Sequence, residues 1–395
     1  MPMKNNVNKL PVIKEDEYKE IRDIVIPVKV HGKGDSAKVT MDDECIRNAI
    51  AYIGEVNTRR IYDEKNPNPA QDLLSILEAV TDPIKNGERS FHIEHKGKAF
   101  RAQVGIRPGG MDVTLRVIPD TTPHLNDLKM PEAWREFLLS NELLNGGMVI
   151  ISGQNGNGKT TTAAAIVRSR LERWGGHCNT AEDPVELPLD GPWVGPDNAG
   201  YCTQRPANLL GDHKDPGSGY RRALYEAARQ FPSFTGGGTI LLIGEIRDED
   251  TALAAINGAI SGHLVVATVH APSAVGAIAR IVSLASMKAG IDPAAIREQL
   301  SAQLITVLHQ RLAYIEKAED RTGGHWQHAE VRGDVLFRDA TGAGSASKVG
   351  TAIIKGALGE AALQKYSSEQ TSKISKLTGD NAKWAVVKAL LNNLS

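Results

Sequence analysis

The stretch Gly153-Gln154-Asn155-Gly156-Asn157-Gly158-Lys159-Thr160-Thr161 carries the most explicit chemistry in the chain. It fits the spacing G-x-x-x-x-G-K-[ST], in which glycines let successive backbone N–H groups turn inward around phosphate oxygens. An apolar, strand-like run at 148–152 precedes it and a helix-favouring run at 160–174 follows. That order places the phosphates at a helix N-terminus, where the dipole favours an anion. Lys159 is the residue type that reaches β- and γ-phosphates, and the Thr160 hydroxyl suits Mg²⁺. The loop is therefore expected to hold a nucleoside triphosphate. The plainer alternative is a Gly/Asn-rich turn that opens a helix.

Phosphoryl chemistry also needs an acid to organise the metal and a residue to position the attacking water. Glu245 follows the apolar run 239–243, with Arg247 and Asp248 beyond it. An acid at the C-terminal end of a parallel strand points into the ligand crevice. A second acidic cluster, Glu182, Asp183 and Glu186, surrounds Pro184. Clustered carboxylates repel, and a nearby cation would keep them ionised together. His263 and His270 bound one apolar strand. They lie more than about 20 Å apart at ~3.3 Å per residue, so they cannot share one small ligand. His270, at the C-terminal end, is the candidate to sense the γ-phosphate. Each of these has a bland counterpart: a surface carboxylate, a solvated acidic turn, a structural histidine.

The elements that must position these groups fall into two patterns. Before residue 120, a strand is expected at 25–30 and a helix at 43–54, with Cys45, Ile46, Ala49, Ile50 and Ile53 on one side. A second helix is expected at 71–80, then a three-strand antiparallel meander at 90–95, 98–106 and 111–118. That is a small α+β domain, 1–120. After a linker at 119–124, continuous apolar strands at 148–152, 239–243 and 264–269 alternate with helices. Such runs suit a parallel sheet covered on both faces, giving an α/β domain at 125–340. Glycine and proline crowd 191–219 and 235–238, where long loops are expected. A helix begins near 292, with Asp292 as cap, Pro293 in the first turn, and Ile296, Leu300, Leu304 and Leu308 repeating at i+4. A helical segment, 341–395, closes the chain, its last stripe being Trp384, Val387, Leu391 and Leu394.

Bulk composition narrows the class. The 395 residues are 41% hydrophobic and 24% charged, with net charge −1, so no global field draws nucleic acid or an anionic membrane. Three separated cysteines make no zinc or disulfide framework. No apolar run reaches 18 residues and the start lacks the apolar core of a signal peptide. A cytoplasmic protein is expected.

Taken in order, "GGMVIISGQNGNGKTTTAAAIV", "AEDPVEL", "LLIGEIRDEDT" and "SGHLVVATVHA" resemble the Walker A, Asp, Walker B and His boxes of the type II and type IV secretion and type IV pilus ATPases, the PilT/GspE group. The likeness runs from about 100 to 315. It implies a RecA-like ATPase domain behind a PAS-like N-terminal domain, assembled as a hexamer that hydrolyses ATP with Mg²⁺. Carried over by position, it implies Lys159 and Thr160 on phosphate and metal, Glu186 as the catalytic acid, Glu245 as the Walker B glutamate and metal ligand, and His270 facing the nucleotide. It implies arginines from the N-domain at the phosphates, for which Arg101, Arg107 and Arg116 are the candidates; a charged sheet face is their alternative. Arg229 resembles an arginine that precedes the Walker B strand. The N-terminal 90 residues depart from the pattern, lacking an "SD-[IL]-H" segment, and 205–238 is unusually long and glycine-rich. No tetracysteine motif is present. Compact members, such as PilT or the DotB/TraJ proteins, fit best. The implied function is a motor for type IV secretion, conjugative transfer or pilus dynamics. It would dock on platform proteins at the cytoplasmic face of the inner membrane. A small-molecule P-loop kinase, a non-hydrolysing nucleotide-gated assembly component and a DNA translocase remain the other classes.

Overall fold

The computed structural model describes residues 21–31, 38–40, 49–53, 57–61, 76, 79–84, 86–95, 97–107, 110–210, 218–230, 239–288, 290–314, 329–338 and 348–382. Two compact units divide the chain at Asp120/Thr121.

Unit 1 is built on an antiparallel sheet of seven strands: β1 (Ile21–His31), β2 (Lys38–Thr40), β3 (Ile50–Ile53), β4 (Asn57–Arg60), β5 (Ser90–His95), β6 (Lys98–Arg107) and β7 (Gly110–Val117). Their order is β4-β3-β1-β7-β6-β5, with β2 on β1. Alternation along β6 and β7 sends Phe100, Ala102, Val104, Val113 and Leu115 into the core. Against them lie Ile76, Val80 and Ile84, spaced at i+4 around a helical stretch at 79–84. The expected meander is present. The expected helix at 43–54 is not: Ile50–Ile53 is a strand between β1 and β4. There Ala49 and Ala51 are buried while Ile50 is only partly so, an alternation of two that the i+3 pattern concealed. Residues 41–48 lie outside those described, as do 62–75.

Unit 2 holds an eight-stranded sheet. Its strands are β8 (Gly147–Ser152), β9 (Gly176–Ala181), β10 (Gly191–Val194), β11 (Ala199–Thr203), β12 (Ile240–Ile243), β13 (Leu264–Val269), β14 (Leu304–Tyr314) and β15 (Ala329–Phe337). The order is β10-β11-β9-β12-β13-β8-β14-β15, parallel from β11 to β14, with β10 and β15 antiparallel at the edges. β8, β12 and β13 are buried at every position, as continuous apolar runs require when helices cover both faces. One apolar layer places Ala255, Ile256, Ala277 and Ile281 on the sheet; the other uses Trp134, Phe137, Ala164, Ile166 and Val167. The helices are α1 (Glu132–Leu138), α2 (Lys159–Trp174), α3 (Ala207–Leu210), α4 (Ser218–Gln230), α5 (Glu249–Ile260), α6 (Ala274–Ala285), α7 (Pro293–Gln303), α8 (Lys348–Ile354) and α9 (Glu360–Ile374).

Two expectations are corrected here. The i+4 leucine repeat does not continue as helix to Leu308, because α7 ends at Gln303 and Leu304 opens β14 beside β8. Pairing with a central strand outweighs the helical phase of the leucines. Within the expected loop 191–219, residues 191–194 and 199–203 are instead the β10–β11 pair, 207–210 is α3 and α4 begins at Ser218; residues 211–217 and the expected loop 235–238 lie outside those described. The helix cap at Asp292 is present, its carboxylate accepting from the Ala294 N–H at 2.9 Å. α8 and α9 belong to unit 2 by contact. The stripe at 384–394 lies outside the described residues.

Candidate nucleotide site

Four neighbouring parallel strands, β9, β12, β13 and β8, end on the same edge of the sheet. Their exits are the four polar segments: the Glu182–Glu186 cluster, Glu245, His270, and the loop from Gly153. The register aligns Ala181 with Ile243, Ile243 with Ala267, and Val269 with Ser152. Sheet topology thus gathers groups that lie far apart in sequence.

The loop takes left-handed or extended positive φ at Gly153 (+151°), Gly156 (+79°) and Gly158 (+72°). At Gly153 no side chain fits, since a Cβ would lie 2.4 Å from the Gln310 carbonyl oxygen. Gly158 caps α2 without any side-chain acceptor, which leaves the first N–H groups of the helix to a ligand. Gln154, Asn155 and Gly156 are exposed; Asn157, Thr160 and Thr161 are half-buried.

Lys159 is buried at 7% exposure, and its ammonium donates to the Gln154 carbonyl at 3.0 Å. The same Nζ lies 3.2 Å from His270 Nδ1, and His270 Nε2 lies 3.3 Å from Glu245 Oε1. Burial lowers the Lys159 pKa, while the charges of Glu245 and Glu186 oppose that shift. Both acids therefore act on the loop lysine. The expected set Lys159, Glu186, Glu245 and His270 forms one neighbourhood. His263, at the other end of β13, is a buried histidine whose pKa burial lowers.

Around the acids stands a frame that sequence spacing does not reveal. Arg247 donates to Asp183 at 2.9 Å and lies 4.7 Å from the centroid of the Tyr220 ring. Burial works against its charge, but the Asp183 hydrogen bond together with the charges of Tyr220, Asp183 and Asp248 outweighs it and raises the Arg247 pKa. Glu182 is buried and accepts from Gln204 Nε2 at 2.9 Å; burial raises its pKa to about 7. Beneath the loop, Gln310 Nε2 donates to the Asn157 carbonyl at 2.6 Å, and the Leu312 N–H donates to Asn157 Oδ1 at 3.3 Å. The sole hint in the sequence is the polar pair His309-Gln310 inside an apolar strand run.

The remaining candidates lie elsewhere. Arg101, half-buried, and Arg107, exposed, sit on β6 of unit 1. Arg116, on β7, stands opposite Arg101 and pairs with Asp23 at 2.8 Å. The Arg229 side chain lies outside the described residues.

Residues 85–382, well over half of the chain, match the family model of the type II/IV secretion system protein. Among curated relatives, the chain is 31% identical over 253 residues to the type IV pilus retractation ATPase PilT of Pseudomonas aeruginosa, covering 64% of this chain and 63% of that protein. For most curated relatives the matched part is less than two thirds of their own length. Two solved structures share the fold. The Legionella pneumophila ATPase DotB gives a TM-score of 0.57 at 19% identity, over 90% of this chain and 85% of that one. The pilus retraction motor PilT with bound ADP gives 0.57 at 22%, over 94% and 95%. The RecA-like arrangement of strand ends, the glycine loop and the family match agree, and the chain belongs to the type II/IV secretion ATPase family.

Proposed function

We propose that this protein is a Mg²⁺-dependent ATPase that works as a hexameric motor for type IV secretion, conjugative transfer or type IV pilus dynamics. The contact chain from Lys159 through His270 to Glu245 carries this proposal, because it joins three separate motifs at one point. The positive-φ glycines and the uncapped start of α2 supply N–H donors for the β- and γ-phosphates. Lys159 adds a cation there. Glu186 orients the attacking water and accepts its proton as the γ-phosphorus bond to the leaving oxygen breaks, releasing ADP and phosphate. His270 ties the lysine to Glu245, so the occupant of the loop is felt at the acid.

The donor set fits Mg²⁺. One hydroxyl, Thr160, and one carboxylate, Glu245, with phosphate oxygens and water are what this ion takes in such sites. When bound, it would neutralise charge on the phosphates. Arg101, Arg107 and Arg116 would come from the neighbouring subunit. No helix among the described residues is long and apolar enough to cross a membrane, so placement at the cytoplasmic face of the inner membrane would come through platform partners.

The test is phosphate release with matched nucleotide binding. Lys159→Ala is expected to lower turnover by at least about a hundredfold. Glu186→Gln and Glu245→Gln are expected to bind ATP and lose hydrolysis. Undiminished turnover in Lys159→Ala would refute the assignment.

A further inference from the structure

We propose that Gln310 is a positioning residue for the phosphate loop: from β14 it fixes the Asn157 carbonyl, and with it the direction of the next N–H group. This rests on the nucleotide-site proposal above.

β14 pairs with β8 only as far as His309, opposite Ser152. Beyond that point β8 turns away into the loop, while β14 continues to Tyr314 beside β15 alone. The overhanging edge of β14 would present backbone groups with no strand to receive them. The loop takes that place. The Gln310 carbonyl approaches Gly153 so closely that no Cβ fits, and the Leu312 N–H is received by the Asn157 side chain at 3.3 Å. Between these two points Gln310 Nε2 holds the Asn157 carbonyl at 2.6 Å.

That bond has a geometric consequence. The peptide between Asn157 and Gly158 is planar and trans, so its C=O and N–H point in opposite directions. Holding the carbonyl against β14 turns the Gly158 N–H away from the strand, on the side from which a phosphate would be met. The carboxamide cannot be reversed, since its oxygen would then face a carbonyl oxygen.

Packing does not account for a glutamine here. Gln310 is 1% exposed, and its Oε1 is buried with no partner among the described residues. Leucine would fill a similar space without that unpaired acceptor. The Nε2 donor is what the position requires.

The experiment uses the full chain, with steady-state phosphate release, binding of a fluorescent ADP, and thermal melting. The variants are Gln310→Leu, Gln310→Glu and, as a control, Gln370→Leu, which breaks hydrogen bonds to Phe337 of the neighbouring strand β15, opposite Thr306 and on no residue of the loop. Gln310→Leu is expected to raise both the ADP dissociation constant and KM about tenfold, the equivalent of one lost net hydrogen bond, with kcat changing less. Gln310→Glu keeps the size but presents an acceptor to the Asn157 carbonyl, and should weaken binding at least as much. Should Gln310→Leu fail to fold, Gln310→Glu decides alone. Wild-type binding and KM in a folded Gln310 variant overturn the proposal, and so does equal weakening by Gln370→Leu. If Lys159-dependent turnover is intact while Gln310 variants match wild type, only this inference falls. If the wild type neither binds nor hydrolyses ATP, the proposed function falls and this inference with it.

Discussion

Burial pushes the Glu182 carboxyl up to about 7 from 4.5, although hydrogen bonds from Gln204 and Thr180 favour its charged form. A raised folded pKa means the native state holds the proton more tightly than the unfolded chain. The stabilisation is complete below about 4.5 and is lost as pH rises through 7. Glu182→Gln removes this loss and keeps an acceptor for Gln204. The variant is therefore expected to gain several degrees in Tm on the wild type between pH 5 and pH 8. Calorimetry at the two values checks it, and an unchanged gap rejects the account. At this scale the sequence identifies residues whose chemistry is local to a motif: Lys159, Glu245, His270. It names Glu182 and Arg247 without their partners Gln204 and Asp183, and it does not single out Gln310, because those contacts depend on which strands become neighbours.

Among elements, β15 shows how an exposed sheet edge is closed. Gln370 of α9 accepts from the Phe337 N–H at 2.7 Å and donates to its carbonyl at 3.1 Å, and Thr371 accepts from the Val335 N–H at 2.9 Å. Side chains of a helix thus replace a missing strand. Gln370→Leu removes both hydrogen bonds from α9 to the Phe337 backbone, and a loss of about 2–4 kcal/mol in denaturant unfolding is expected, with ADP affinity unchanged. A loss below half a kcal/mol would show that the edge does not need this helix. The strands β8, β12 and β13 were legible because burial on both faces writes a continuous apolar run. β14 was not, because its leucines keep the phase of the preceding helix. β10 and β11 were hidden by glycine and proline, which at a sheet edge are compatible with pairing.

Assembly is where the whole molecule is tested. Light scattering with ATP is expected to give six subunits, whereas a monomer in every nucleotide state would favour a P-loop kinase. If sites are shared between subunits, mixing Arg107→Ala and Lys159→Ala proteins, each expected to be inactive alone, should recover part of the turnover; no recovery argues for sites completed within one chain. The strand order carries a last consequence, for biosynthesis. β8 is the first sheet strand of unit 2 to leave the ribosome, yet both of its neighbours, β13 and β14, are made last among the parallel strands. Its fully apolar run must wait, unpaired on both sides, until residues 264–309 emerge. Native pairing here is non-local and slow by nature, and a nascent chain stalled before β13 exposes a sticky edge. The order that gathers four motifs at one end of the sheet also leaves the phosphate loop among the last parts of this unit to be set in place.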